Sequence, residues 1–290
     1  MTPKKRDGSE LLGAHVSTQG GVHTAPERGL LIGATAIQVF TKTPNQWREP
    51  EIAEPVVREF RNRLAESDIR AVVSHDSYLI NLATPDPTLS RRSTTSFTAE
   101  LGRCLALGIG SVVSHPGNYI DHREAGLERN ACNYSECLRA VPTVMLLIEG
   151  TAGTGTALGS SFEELAELRE RIAAEVRDRV GFCLDTCHLY SAGYDLATDY
   201  DGVWTRWDRV VGSKHLRCMH LNDSKTPFGS RRDRHELIAE GSLGADPFRR
   251  IMRDERFARI PKILETPKGD DLVTNDRRML RRLRAYARAG

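Results

Sequence analysis

Six short apolar runs each stop on a histidine or a carboxylate, and no other feature of this chain constrains its fold so tightly. Ala71-Val72-Val73-Ser74 ends on His75, and Ser111-Val112-Val113-Ser114 ends on His115. Val144-Met145-Leu146-Leu147-Ile148 ends on Glu149, and Gly181-Phe182-Cys183-Leu184 on Asp185. Leu216-Arg217-Cys218-Met219 ends on His220, and Ile260-Pro261-Lys262-Ile263-Leu264 on Glu265. Runs of about four to eight apolar, partly β-branched residues read as buried strands. One metal-capable residue at the end of a strand is ordinary. Six of them, separated by helical patterns, converge on one face of a parallel sheet or barrel, where such folds keep their chemistry.

Two more strand patterns, at 11–16 and 36–41, bring the repeats to eight. Helix-like stretches lie between them at 21–31, 55–67, 88–107, 130–140, 161–178, 199–211 and 246–258. Ser161 with Glu164 forms a capping box. Gly33, Gly108 and Gly193 stand where helices or turns must end. Eight strand–helix repeats in 290 residues predict an α/β fold of the (β/α)₈ TIM-barrel type rather than an open doubly wound sheet. No linker or low-complexity segment interrupts the sequence, which reads as one domain over 1–290 with a flexible polar N-terminus at 1–10. The basic run at 277–284 spaces Met279, Leu280 and Leu283 as the inner stripe of an amphipathic outer helix.

With 39% hydrophobic and 28% charged residues the chain can bury a full core. No stretch approaches the roughly 20 apolar residues of a membrane span, and the N-terminus lacks a signal-peptide core, which points to a cytoplasmic address. A net charge of +2 does not by itself argue for nucleic acid. Locally, Ser230-Arg231-Arg232-Asp233-Arg234-His235 concentrates positive charge beside two candidate ligands. Cys104, Cys132, Cys137, Cys183, Cys187 and Cys218 are scattered without a C-x-x-C pair and read as reduced, mostly buried thiols. Cys183, two residues before Asp185, is expected deeper in the same strand.

At the predicted mouth, Asp185 and His188 are three residues apart, and Asp233 and His235 are spaced to point the same way from an extended loop. Imidazoles and carboxylates suit zinc, manganese or iron, and the lack of a cysteine cluster argues against a structural zinc knot. Taken singly, His75 or His115 reads as a hydrogen-bonded strand-end histidine. Taken together, five imidazoles and four carboxylates in one cleft would carry heavy desolvation and repulsion costs without cations. The count exceeds what one tetrahedral zinc uses, so two or three metals are implied. Clustered divalent ions are the usual equipment for phosphoester hydrolysis, generating hydroxide near neutral pH and stabilising the leaving alkoxide.

Weaker features surround this set. Gly150-Thr151-Ala152-Gly153-Thr154-Gly155 looks like a phosphate cradle, but no Gly-Lys-Ser/Thr follows, so it reads as a flexible loop. Lys225, in Asn222-Asp223-Ser224-Lys225, is either a phosphate contact or a solvated lysine. The loop from Phe40 through Lys42 to Trp47 either touches nucleic acid or packs its tryptophan on a helix.

Gly13-Ala14-His15-Val16-Ser17, Gln38-Val39-Phe40-Thr41-Lys42, His75-Asp76-Ser77-Tyr78-Leu79-Ile80-Asn81-Leu82 and His115-Pro116-Gly117 resemble successive signatures of the endonuclease IV family. So do Asp185-Thr186-Cys187-His188, His220-Leu221-Asn222-Asp223, Asp233-Arg234-His235 and Leu264-Glu265-Thr266, in the family's order. The resemblance implies a zinc-dependent apurinic/apyrimidinic endonuclease on a TIM barrel. Such an enzyme cuts damaged double-stranded DNA 5′ to an abasic site, leaving a 3′-hydroxyl and a 5′-deoxyribose phosphate, and trims blocked 3′ ends.

Carried over residue by residue, it implies three zinc ions, with manganese an alternative at one position. His75, His115 and Glu149 would hold one. Glu149 would bridge to a second, bound also by Asp185, His220 and Glu265, while His188, Asp233 and His235 would hold the third. Glu149, Asp185 and Glu265 would carry the catalytic carboxylate roles. Tyr78 and Leu79 would wedge into DNA, with Lys42, Asn45 and Lys225 as further DNA contacts. Two positions depart from the family pattern: Gly150 replaces an asparagine after the bridging glutamate, and Asn45 replaces an arginine that enters the DNA. A monomer suffices for this chemistry. The rival readings are a metal-dependent sugar isomerase or epimerase on the same barrel, which rarely needs so many ligands, and a silent damage binder, which gains nothing from a buried charge cluster.

Overall fold

The computed structural model describes residues 10–288, so most of the polar N-terminal segment lies outside the described residues. Eight parallel strands close into a barrel: β1 (Leu12–His15), β2 (Ala36–Val39), β3 (Ala71–His75), β4 (Ser111–Ser114), β5 (Met145–Glu149), β6 (Val180–Asp185), β7 (Leu216–His220) and β10 (Lys262–Leu264). β10 pairs with both β7 and β1, which seals the ring. Between β7 and β10 the chain adds a two-residue antiparallel ribbon, β8 (Asp223–Ser224) with β9 (His235–Glu236). The barrel helices are α1 (Ala25–Ile32), α2 (Glu54–Ala65), α3 (Pro87–Leu107), α4 (Arg123–Ala140), α5 (Phe162–Arg171), α6 (Ala174–Arg177), α7 (Thr186–Ala192), α8 (Tyr200–Val210), α9 (Asp246–Arg253) and α10 (Thr274–Arg288).

The strands are apolar on both faces because both faces are buried. Inward residues Ala36, Val73, Val113, Leu147, Cys183, Cys218 and Ile263 fill the barrel, while outward neighbours such as Ile37, Val112, Leu146 and Phe182 pack under the helices. At Gly13 an added Cβ would lie 1.6 Å from the Ala36 carbonyl oxygen, so the approach of β1 to β2 excludes any side chain there. α10 buries Met279, Leu280 and Leu283, the stripe expected for an amphipathic outer helix.

Several boundaries differ from the sequence reading, each for a local reason. The stretch at 161–178 is two helices, because Ile172 turns extended (ψ 139°) to bury its side chain and Ala173 follows it (ψ 133°). Ser161 does cap the first of them, accepting from the Glu164 amide. The Glu164 carboxylate reaches back to the Gly159 and Ser160 amides rather than to Ser161, so the reciprocal half of the box is displaced. α4 begins at Arg123, a full two turns before 130, and the region 21–31 opens with a 3₁₀ turn at Val22–Thr24. α7 is an added element that the alternating pattern concealed, ended by Gly193 at φ 103°. Gly33 and Gly108 likewise close α1 and α3 in the left-handed region.

Candidate metal centre

Strand ends deliver the groups. His75, Glu149, Asp185 and His220 are the last residues of β3, β5, β6 and β7, while His115 and Glu265 follow β4 and β10 by one position. α7 presents His188 from its first turn, and the β8–β9 ribbon carries His235, with Asp233 just before it. These side chains fall into three sets whose ligand atoms lie within 4.8 Å of one another: His75, His115 and Glu149; Glu149, Asp185, His220 and Glu265; and His188, Asp233 and His235. Glu149, fully buried, belongs to two of them. Its Oε2 lies 3.1 Å from both His75 Nε2 and His115 Nε2, and its Oε1 3.0 Å from His220 Nδ1.

Backbone carbonyls fix the imidazole tautomers. His75 Nδ1 is 2.9 Å from the Asp76 carbonyl, His188 Nδ1 2.8 Å from that of Gly150, and His235 Nδ1 3.2 Å from that of Glu265. A carbonyl only accepts, so each of these nitrogens donates, and in the neutral ring the other nitrogen offers a lone pair. Those lone pairs face oxygen. His75 Nε2 meets Glu149, His188 Nε2 lies 3.2 Å from Asp233 Oδ2, and His235 Nε2 lies 3.0 Å from Asp233 Oδ1. His235 Nε2 is buried and makes no hydrogen bond of acceptable geometry. Acceptor facing acceptor in a buried cleft is stable only with a positive charge between them, a proton or a metal ion. The donor set therefore fits divalent cations.

In the metal-free protein protons take that place. Burial alone would depress His75, but its hydrogen bond and charge interaction with Glu149 prevail and lift it to about 9. His235 is also depressed by burial and then raised to about 9 by Asp185 and Asp233. His188 and His220 move well above the usual imidazole range, again against burial, through Asp185 and Glu265 respectively. Burial raises Glu265, yet His220 draws it down to about 2. His15 behaves oppositely: burial holds it near 3, so it stays neutral.

Two positioning residues lie beside the ligands, inside the same sequence motifs. Gln38 donates to Glu265 Oε1 at 2.6 Å and accepts from His220 Nε2 at 2.8 Å, which turns His220 Nδ1 toward the carboxylates. Asn222 donates to Asp185 Oδ2 at 2.6 Å and accepts from the Glu265 amide at 2.8 Å. Sequence reasoning missed both roles, although Asn222 stands two residues after His220. At Gly150 the anchor for His188 is a main-chain oxygen, so it does not need a side chain there. A Cβ at that position would approach Leu184 Cδ2 to 3.0 Å.

The candidate DNA contacts divide. Tyr78 stands 70% exposed beside the Phe40 ring at 5.2 Å, Leu79 is half-buried next to it, and Asn45 is exposed. Lys225 is half-exposed, 3.9 Å from Glu236. Lys42 is a correction: its side chain is 3% exposed and its ammonium is bound to Glu49 at 2.7 Å and to the Gln46 carbonyl at 2.6 Å, which removes it from the surface. Trp47 is half-buried under the Arg92 guanidinium, 4.4 Å from the ring centre, and so packs on α3.

The family described as a xylose isomerase-like TIM barrel matches residues 30–283. A Geobacter sulfurreducens protein named probable endonuclease 4 is 46% identical over 268 residues, covering 91% of this chain and 90% of its own. The crystal structure of endonuclease IV from Thermus thermophilus superposes with a TM-score of 0.84 at 36% identity, over 96% of this chain and 98% of that one. A D-tagatose 3-epimerase-like protein also superposes, with a TM-score of 0.69 over 96% of this chain and 98% of that one, but at 14% identity it shares the fold alone. Within the xylose isomerase-like TIM barrels, this chain belongs to the endonuclease IV family.

Proposed function

We propose that the chain is a DNA-repair endonuclease, acting as one catalytic domain, that hydrolyses the phosphodiester 5′ to an abasic site. It leaves a 3′-hydroxyl and a 5′-deoxyribose phosphate, and it trims blocked 3′ ends. The observation that carries the reading is the trio of ligand sets, two of them sharing Glu149, at the barrel mouth. His75, His115 and Glu149 would hold one zinc ion, Glu149, Asp185, His220 and Glu265 a second, and His188, Asp233 and His235 a third, with manganese acceptable at one position. When bound, such ions supply a hydroxide nucleophile near neutral pH and positive charge for the phosphoryl and leaving oxygens.

The chain's own groups do the rest. Gln38 and Asn222 hold His220, Asp185 and Glu265 in place, and the backbone carbonyls lock three imidazoles with their lone pairs aimed inward. Tyr78 and Leu79, on the loop after β3, are the wedge that holds the duplex open beside the cleft. Asn45 leaves that face one cation short of the family pattern, and Lys225 is the remaining basic contact among those named. No described helix is long and apolar enough to cross a membrane. A cytoplasmic monomer fits the reading. Sugar epimerisation is the weaker alternative, since the epimerase-like neighbour shares only the fold.

The test is direct. Protein purified without chelator is incubated with a labelled duplex carrying one abasic analogue, and its metal content is measured. The expected result is incision 5′ to the analogue, with more than one equivalent of zinc or manganese per chain. Metal at or below one equivalent would remove the multinuclear mechanism, and intact duplex would remove the endonuclease.

A further inference from the structure

One layer below the carboxylate–imidazole cluster, the barrel interior holds two thiols that the sequence keeps 35 residues apart. Cys183 on β6 and Cys218 on β7 are fully buried, face inward and are direct register partners. Their meeting depends on an irregularity. The β6–β7 ladder shifts register between Phe182 and Cys183: Phe182 pairs with Leu216, yet Cys183 pairs with Cys218. Unshifted pairing would set Cys183 against Arg217, whose side chain is exposed. Such bulges re-aim side chains beside functional sites. Both sulfurs and a ring nitrogen of His220 lie within 4.8 Å of one another, and all three residues are buried.

We propose that Cys183 and Cys218, with the His220 imidazole they share with the carboxylate set, form a second, competing site for a soft, thiophilic divalent cation. Two thiolates and a neutral imidazole are the donors such ions favour, in contrast to the imidazole and carboxylate sets above them, which hold no sulfur. The charges cancel: two thiolates against one divalent cation leave no net charge in a layer otherwise made of Ala36, Val73, Val113, Leu147 and Ile263. Binding to the metal-free protein breaks two S–H bonds and one N–H bond of the His220 imidazolium, forms two sulfur–metal bonds and one nitrogen–metal bond, and passes three protons to solvent. Because His220 also faces Glu149 and Glu265, occupation of the thiol site draws that imidazole away from the carboxylates. That last consequence rests on the metal reading under Proposed function; the site itself does not.

The experiment uses cadmium chloride and the full-length protein in a Cys132→Ala background, which removes the exposed thiol. The readout is the ultraviolet thiolate-to-cadmium charge-transfer band. It is recorded during titration of the native protein and again after refolding in the presence of cadmium, since the thiols are fully enclosed. The expected result is one saturable equivalent with two-thiolate intensity, retained in Cys187→Ala and lost in Cys183→Ala and in Cys218→Ala independently. No band under either loading condition, or a band that survives in both of those last variants, overturns the proposal. DNA plays no part in the measurement, so a chain that fails to cut abasic duplex yet gives this band would lose only the nuclease reading.

Discussion

Two buried charge clusters lie a few residues apart in this molecule, and they are built on opposite principles. Behind β2 and β3, Arg103 of α3 holds Glu100 at 2.6 Å, Glu49 at 2.7 Å and Thr41 at 2.7 Å. Lys42 and Ser96 both donate to the other Glu49 oxygen, Thr41 adds a second donor to the Glu100 oxygen that Arg103 holds, and Ser74 donates to the remaining one. Two cationic side chains meet two anionic ones, and each oxygen of both carboxylates has a donor. At the mouth, four carboxylates meet five imidazoles, and among the described residues the ion pairs of Glu149, Asp185, Asp233 and Glu265 are all with histidines, none with arginine or lysine. A structural network satisfies itself. A site meant to receive cations is left incomplete by its own side chains, and that difference separates the two without reference to any relative.

The contrast can be broken most severely at Glu149. Glu149→Gln preserves the size of the side chain but removes the charge shared by two ligand sets. Incision should fall at least about a thousandfold, which is roughly 4 kcal/mol of barrier, while DNA binding and the folded circular-dichroism spectrum persist. A variant that cuts at near the parent rate would end the bridging role.

The mirror experiment is Arg103→Ala. It strands Glu100 in the interior, where loss of one partner of a buried pair costs about 3–5 kcal/mol. The denaturant midpoint should drop sharply while bound metal per folded chain stays at the parent value. Metal loss with unchanged stability would mean that the two clusters are not independent.

A pH series sharpens the comparison further. In chelated protein His75 and His235 sit at about 9, above the ordinary imidazole value of 6.5. Their protonation therefore stabilises the fold fully below about pH 6.5 and loses that effect as pH climbs through about 9. The melting temperature of the chelated protein should fall across this window. The metal-loaded protein should hold or gain stability there, because metal binding expels the same protons. Parallel curves for the two forms would show that cations do not replace protons at this mouth.

Tyr78→Ala is the mildest perturbation. Affinity for abasic duplex should weaken by roughly 1–3 kcal/mol, the value of one lost stacking contact, with metal content intact. Unchanged affinity would reassign the tyrosine to packing against Phe40.

Much of this was legible in the sequence because barrel chemistry is written at strand ends: a run of apolar residues that halts on His75 or Glu149 gives both the strand and the position of its last side chain. What stayed hidden depends on partners distant along the chain. Nothing near Gln38 foretells that it joins Glu265 and His220, and nothing near Lys42 foretells that Glu49 and the Gln46 carbonyl draw its ammonium inward. A ligand-holding residue therefore goes unseen, and a buried lysine reads as a surface contact. The Cys183–Cys218 pair required a register shift that no periodicity records. α5 and α6 read as one helix because the two residues that separate them, Ile172 and Ala173, are unremarkable in composition and differ only in backbone geometry.

Asp185 has a consequence of its own. One of its oxygens caps α7 by accepting from the Cys187 and His188 amides at 2.6 and 3.0 Å, while the other is held by Asn222. The carboxylate that ends the strand thus also sets the rotational phase of the helix that follows. Each residue advances a helix by about 100°, so inserting or deleting a single residue between Asp185 and His188 would swing the imidazole round to a different side of α7. A change of length between β6 and α7 would therefore misplace a ligand even with every side chain kept, and the spacing of these two residues acts as a mechanical gauge for the whole mouth.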